Sequence, residues 1–229
     1  MYKAVISDLD GTLLSRGHHV TKFTKNVIKE IIKKGVNFYI ASGRSYDQIG
    51  YVTEQLEVKI PIIAANGARI FDKDGNMIYE KGLSSKSAKA ILGLDYENIA
   101  EGSHLNIFSG NDWIITKGTA QKVYDRISRD VKVDFKELPK NELENLDILK
   151  IFYIGDHEQL INLEKAILKI TDNVNVIFVN DYCMEVMAKE ANKGAAAKFL
   201  LEREGLELKD AVAFGDGEND FEMLTMVGK

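Results

Sequence analysis

The chain predicts an α/β protein whose parallel sheet is interrupted by an inserted α+β module. Three observations predict it. Apolar strands alternate with helices from Lys3 to Gly67, the alternation returns at "GAAAKFLLEREG", and the stretch between has a different grain. In order, Lys3–Ser7 reads as a short apolar strand, and Thr24–Lys34 carries Val27, Ile28, Ile31 and Ile32 at helical spacing. Gly35 is placed to end that helix. Val36–Ser42 follows as a strand, Ser45–Leu56 as a helix and Ile60–Gly67 as a third strand. Near-continuous apolar strands joined by helices belong to a parallel sheet covered on both faces.

The middle of the chain changes character. "ARIFDKDGNMIYEK" predicts a hairpin turning at Asp74-Gly75, followed by a helix over Ser84–Ala100, a strand pair in "HLNIFSGNDWIITKG" and a helix over Ala120–Val131. "ILKIFYIG" and "NVIFV" read as strands flanking a helix at Glu158–Ile170. "CMEVMAK" sets Cys183, Glu185 and Met187 on one face and Met184, Val186 and Ala188 on the other. The core pattern resumes with the helix after Gly194 and the strand Ala211–Gly215. These bounds divide the chain into a core of residues 1–82 and 185–229 and an insert of 83–184. The insert is too long for an ordinary loop. Placed over the carboxyl edge of the sheet, such a module would act as a mobile lid.

Bulk composition narrows the function classes. At 229 residues, 45% hydrophobic and 28% charged, the chain is ordinary for a globular protein with a sizeable core. A formal charge of -5 argues against a nucleic-acid partner. One cysteine, Cys183, excludes an internal disulfide and a thiolate metal cage. The start, MYKAVISDLD, lacks signal-peptide regions, and no apolar run nears the ~18 residues of a membrane span. The expectation is a cytoplasmic protein without a membrane partner, monomeric or weakly dimeric.

Four strand ends are chemically loaded. The first closes on Asp8-Leu9-Asp10-Gly11-Thr12, the second on "ASGRS" with Ser42, Gly43 and Arg44, the third on Asn66-Gly67, and the last on "GDGEND" with Asp216, Asn219 and Asp220. Taken singly, each has a plain alternative: Asp10-Gly11 suits a hairpin, and Gly, Asp and Asn dominate ordinary turns. Lys193 alone reads as a solvated lysine near a helix start, and its Asn-Lys-Gly setting lacks the spacing of a Walker loop. Together they converge where open α/β sheets bind ligands, beyond the carboxyl ends of the strands. Asp8, Asp10 and Asp216 cannot crowd together ionised without a cation. Oxygen ligands with no histidine favour Mg²⁺ over zinc. The four histidines, His18, His19, His104 and His157, fall outside these clusters and are expected on the surface. Ser42, Lys193, Asn219 and glycine-rich backbone N–H groups are donors suited to phosphate oxygens. Phosphoryl transfer is the chemistry that wants this set.

The series DLDGT, ASGR, NKG and GDGEND, in that order, resembles the four motifs of the haloacid dehalogenase-like hydrolases. The insert resembles the type IIB cap of the Cof-like sugar-phosphate phosphatases. The resemblance spans nearly the whole chain and implies a Rossmann-like core. By position it implies that Asp8 is the nucleophile, Asp10 the general acid/base and Lys193 the neutralising cation. It gives Ser42, Gly43, Arg44 and Asn219 to the substrate, and Asp8, the Asp10 main-chain carbonyl, Asp216 and Asp220 to Mg²⁺. A small phosphorylated metabolite is then the partner, with hexose or pentose phosphates foremost and flavin or pyridoxal phosphates as alternatives. A phosphomutase, a non-catalytic phospho-ligand binding module and an interaction protein docking through its insert stay open on the residues alone. The family pattern also leads one to expect a further strand, loop and helix beyond "TMVGK", and a shortened chain would leave the Ala211–Gly215 strand with an uncovered edge.

Overall fold

The computed structural model describes residues 2–120 and 135–229. The described chain forms two compact units, one of residues 1–81 and 190–229 and one of residues 82–189. In the first unit β1 (Ala4–Ser7), β2 (Asn37–Ala41), β3 (Ile62–Ala64), β4 (Arg69–Phe71) and β5 (Met77–Glu80) follow one another, and Ala211–Phe214 joins from the far end of the chain. The helices Lys22–Lys33 and Tyr46–Leu56 link the first three strands. The last strand, β1, β2 and β3 are parallel, and β4 and β5 then run antiparallel at the other edge. The sheet is therefore mixed, because the hairpin at Asp74-Gly75 extends it with antiparallel strands.

Alternation along the strands fills both faces. Tyr39 and Ala41 point, with Ile6 and Ile63, to Ala196, Ala197, Leu200 and Leu201 of the helix Lys193–Arg203. Phe38 and Ile40 point the other way, to Ile28, Ile49, Val52 and Leu56 of the two linking helices. Apolar strands buried on both faces follow from this sandwich. Local chemistry starts the helices: the Thr21 hydroxyl accepts from Thr24 N–H, which opens the first helix two residues before the expected Thr24, and Ser45 with Gln48 forms a full capping box. The last strand is outermost among the described residues, and its Ala213 N–H donates to the Lys229 carbonyl at 2.8 Å.

The second unit has its own six-stranded sheet among the described residues. Its strands are β6 (His104–Ser109), β7 (Asp112–Thr116), β8 (Phe135–Leu138), β9 (Ile148–Ile154), β10 (Val174–Asn180) and β11 (Cys183–Ala188), in the spatial order β10-β11-β9-β6-β7-β8. The strand Ala211–Phe214 of the first unit is accordingly β12. Ile107, Ile151, Tyr153, Met184 and Val186 form a core with Ile91, Leu160, Leu163 and Ile167 from the helices Ser85–Leu92 and His157–Ile170. The opposite face carries Phe108, Trp113, Phe152 and Cys183, with a buried Lys150–Glu185 ion pair.

Two expectations change in detail. The boundary drawn at residues 184 and 185 falls inside β11, which hydrogen-bonds along its length to both β9 and β10. A strand paired on both sides cannot be divided, so the second unit runs to Lys189. The long helix over Ser84–Ala100 is broken: Ser85–Leu92 ends at Gly93, and a single turn at Tyr96–Ile99 follows. The helix expected over Ala120–Val131 lies outside the described residues after Ala120.

Candidate active site

The site begins at the end of β1. Asp8 N–H donates to the Phe214 carbonyl of β12 at 2.9 Å, and the Asp8 carbonyl accepts from Ser7 Oγ at 2.8 Å and from Leu13 N–H at 3.2 Å. The chain thus turns widely over Leu9–Leu13. Gly11 sits at φ +82°, a left-handed conformation, and a Cβ there would lie 2.1 Å from Asp216 Oδ2. Only glycine satisfies both the angle and the approach of Asp216.

Lys193 opens its helix, capped by Asn192, whose Oδ1 accepts from Ala195 N–H at 2.8 Å. The Lys193 side chain is fully buried. Its Nζ donates to Asp8 Oδ1 at 2.6 Å and to Asp220 Oδ1 at 2.6 Å. Asp220 Oδ2 accepts from the N–H groups of Asp216 and Gly217 at 3.1 and 3.0 Å, which fixes the loop after β12. Asp216 is exposed, and its Oδ1 accepts from Thr12 Oγ1 at 2.8 Å. Burial holds the Asp8 carboxyl above its ordinary value, the Lys193 ammonium offsets only part of that rise, and nearby Asp220 adds to it.

Asp8, Asp216 and Asp220 each offer a carboxylate oxygen, and these lie within 4.8 Å of one another. Set against one ammonium, three carboxylates leave two negative charges unmatched. Oxygen-only donors with that excess fit a hard divalent cation such as Mg²⁺.

The second and third strand ends are joined to this cluster. Ser42 is buried, and its Oγ accepts from Arg44 N–H at 3.2 Å. Ser42 accepts at its carbonyl from Asn66 N–H at 3.0 Å, and Arg44 at its carbonyl from Ala65 N–H at 2.8 Å. Ala65, Asn66 and Gly67 have successive φ values of +49°, +54° and +96°. A Cβ on Gly67 would lie 2.3 Å from the Asn192 carbonyl oxygen, so this turn packs directly on the cap of the lysine helix. Asn66 Oδ1 accepts from Asn219 Nδ2 at 2.8 Å and stands 2.9 Å from where a Cβ on Gly43 would be.

Two placements depart from expectation. The Asp10 side chain does not share the acid cluster: Arg44 Nε donates to Asp10 Oδ2 at 2.7 Å and Arg44 Nη2 to Asp10 Oδ1 at 2.6 Å. His18, expected apart from the clusters, is exposed but has its Nδ1 3.9 Å from Asp10 Oδ1. Sequence reasoning also missed Asn66 as a side-chain partner of Asn219, although Asn-Gly marks a left-handed turn. Tyr51, and the bonds of Thr12 to Asp216 and of Arg44 to Tyr51, gave no signal in the sequence.

Known proteins resemble this chain across its length. The family model of the haloacid dehalogenase-like hydrolases matches residues 5–229. A putative phosphatase of Buchnera aphidicola subsp. Baizongia pistaciae is 35% identical over 237 residues, covering 100% of this chain and 85% of that protein. An HMP-PP phosphatase of Escherichia coli K12 is 28% identical, covering 100% of this chain and 82% of its own length. A solved haloacid dehalogenase-like hydrolase from B. subtilis superposes with a TM-score of 0.81 at 23% identity, over 99% of this chain and 87% of that one. With the four strand ends gathered around one buried lysine and three acids, and the family match running from β1 to the last residue, the chain belongs to the haloacid dehalogenase-like hydrolases.

Proposed function

We propose that the protein is a phosphatase of small phosphomonoesters that works through an aspartyl-phosphate on Asp8. The observation that carries this reading is the buried Lys193 ammonium, 2.6 Å from both Asp8 and Asp220. It opposes the burial that disfavours charge on Asp8 and so supports the carboxylate form that attacks. In the first step an Asp8 oxygen bonds to phosphorus, the bond to the leaving oxygen breaks, and Asp10 gives that oxygen its proton. In the second, Asp10 takes a proton from water, whose oxygen bonds to phosphorus and releases phosphate and Asp8. Ser42, the Gly43 backbone, Arg44, Asn219 and Lys193 hold the substrate, with Lys193 balancing charge in a loose transition state. Asp8, the Asp10 carbonyl, Asp216 and Asp220 would hold Mg²⁺, which supplies further charge neutralisation at the phosphoryl oxygens. Residues 82–189 are, in this reading, the inserted cap of the family.

Sugar phosphates are the first substrates to test, and the name of the Escherichia coli relative adds HMP-PP to the panel. A phosphate-release screen in Mg²⁺, with water as sole acceptor, is expected to find turnover that excess chelator abolishes. Full activity in chelator would remove the metal from the reading. Transfer to a second hydroxyl without free phosphate would make the protein a phosphomutase.

A further inference from the structure

We infer that Arg44 is a positioning residue that holds Asp10 withdrawn from the reaction, and that a substrate releases Asp10 by offering Arg44 an oxyanion on its own leaving group. The inference rests on the reading of Asp10 as the general acid/base. Both carboxylate oxygens of Asp10 are occupied, by Arg44 Nε at 2.7 Å and Nη2 at 2.6 Å. The remaining edge of the guanidinium is steadied by the helix Tyr46–Leu56. There Nη1 donates to the Tyr51 hydroxyl at 3.0 Å, and the cation stands 5.8 Å from the centre of the Tyr51 ring. Asp10 contributes no carboxylate oxygen to the acid cluster of Asp8, Asp216 and Asp220. A proton donor fully engaged by a cation is not placed to serve a leaving oxygen.

The two ion pairs of the site differ in kind. The Lys193 pairs are buried, with side-chain exposures of 0% for Lys193, 8% for Asp8 and 1% for Asp220. The Arg44–Asp10 pair is 29% and 44% exposed and can be opened by a competitor from solvent. Arginine does not lose its proton, so exchange of partners is the route by which the pair opens. A guanidinium fork donates paired hydrogen bonds to either a carboxylate or a phosphate. The competitor that fits is therefore a phosphate or carboxylate carried on the departing half of the substrate. Its arrival fills the fork and frees the Asp10 carboxylate in the same event, so that a proton from solvent can pass through Asp10 to the leaving oxygen. The substrate class is phosphorylated metabolites whose leaving group is itself anionic.

The test uses the intact protein and two matched substrates, 3-phosphoglycerate and glycerol 3-phosphate, which differ by a carboxylate on the leaving group. Wild type is expected to favour the anionic member in kcat/KM by about tenfold or more, the size of a typical coupling between two binding events. Arg44→Gln should bring that ratio towards one, and Arg44→Lys, which keeps the charge without the fork, should retain part of it. A second readout keeps Arg44 in place. In the Asp8→Asn variant, the Arg44 Nε–H resonance should move on titration with 3-phosphoglycerate and hold still with glycerol 3-phosphate. An equal ratio in wild type and Arg44→Gln, or equal movement of that resonance with both compounds, overturns the inference. Turnover retained in Asp8→Asn would instead overturn the covalent reading beneath it.

Discussion

Asp8 and Asp10 are two residues apart, yet one is buried against an ammonium and the other is half exposed against a guanidinium. Their loss should read differently. Asp8→Asn is expected to abolish turnover and phosphoenzyme, since an amide is a poor nucleophile. Asp10→Asn should slow both proton-transfer steps by roughly 10²–10⁴, the usual contribution of a general acid/base. Single-turnover kinetics with a phosphoenzyme trap separates the two, and wild-type turnover in Asp8→Asn would end the covalent mechanism. The acids stood out in the sequence because they follow strand ends, whereas Lys193, by itself a solvated lysine at a helix start, was singled out only by the resemblance of its NKG motif. The partners Arg44–Asp10 and Asn66–Asn219 were not legible. Which polar side chain meets which depends on rotamers and on loop packing between segments far apart in the chain, and no local periodicity records that.

Among the elements, strands and helices were largely legible because each carries its own signal: short apolar runs for strands, apolar residues at helical spacing for helices. The break at Gly93 and the antiparallel hairpin at the sheet edge were less so, since tertiary packing decides whether a glycine interrupts a helix and where a hairpin docks. One helix end gives a pH prediction. Glu57 ends the helix Tyr46–Leu56 in a left-handed conformation and is gripped by Lys25 at 2.5 Å and Lys29 at 2.7 Å from the preceding helix. The hydrogen bond from Lys25, then that from Lys29, lowers its carboxyl from 4.5 to about 2. A carboxyl lowered by folding adds stability above its unfolded value and loses it as pH falls towards the folded one. Acid unfolding of wild type should therefore steepen between pH 4.5 and about 2. Glu57→Gln should flatten that interval, most clearly at low salt because the pair is exposed. Parallel curves for the two proteins, followed by circular dichroism, would refute the assignment.

At the scale of the molecule, the described strands of each sheet pair only within their own unit, and each unit has its own apolar core. The second unit is also continuous in sequence, from Gly82 to Lys189. A fragment of residues 82–189 is expected to fold alone, with a cooperative thermal transition and dispersed amide resonances. An unfolded fragment would make the insert dependent on its host. The first unit has no such independence. Lys193 meets Asp8 across a separation of 185 residues, and Thr12 meets Asp216 across 204. The sequence could show that these motifs exist but not that the charges of one complete the other. For a ribosome the consequence is one of timing. The insert emerges whole and can close before the sheet that precedes it in the chain has received β12. At about 5–20 residues per second, translation from Gly82 to Lys193 takes on the order of ten seconds, and through that interval Asp8 has no cation to justify its burial. The nascent first unit must wait with its acids solvated. Its final collapse then awaits the arrival of Lys193 and the two aspartates after β12, so the segment from Lys193 to Asp220 completes the acid cluster of the site.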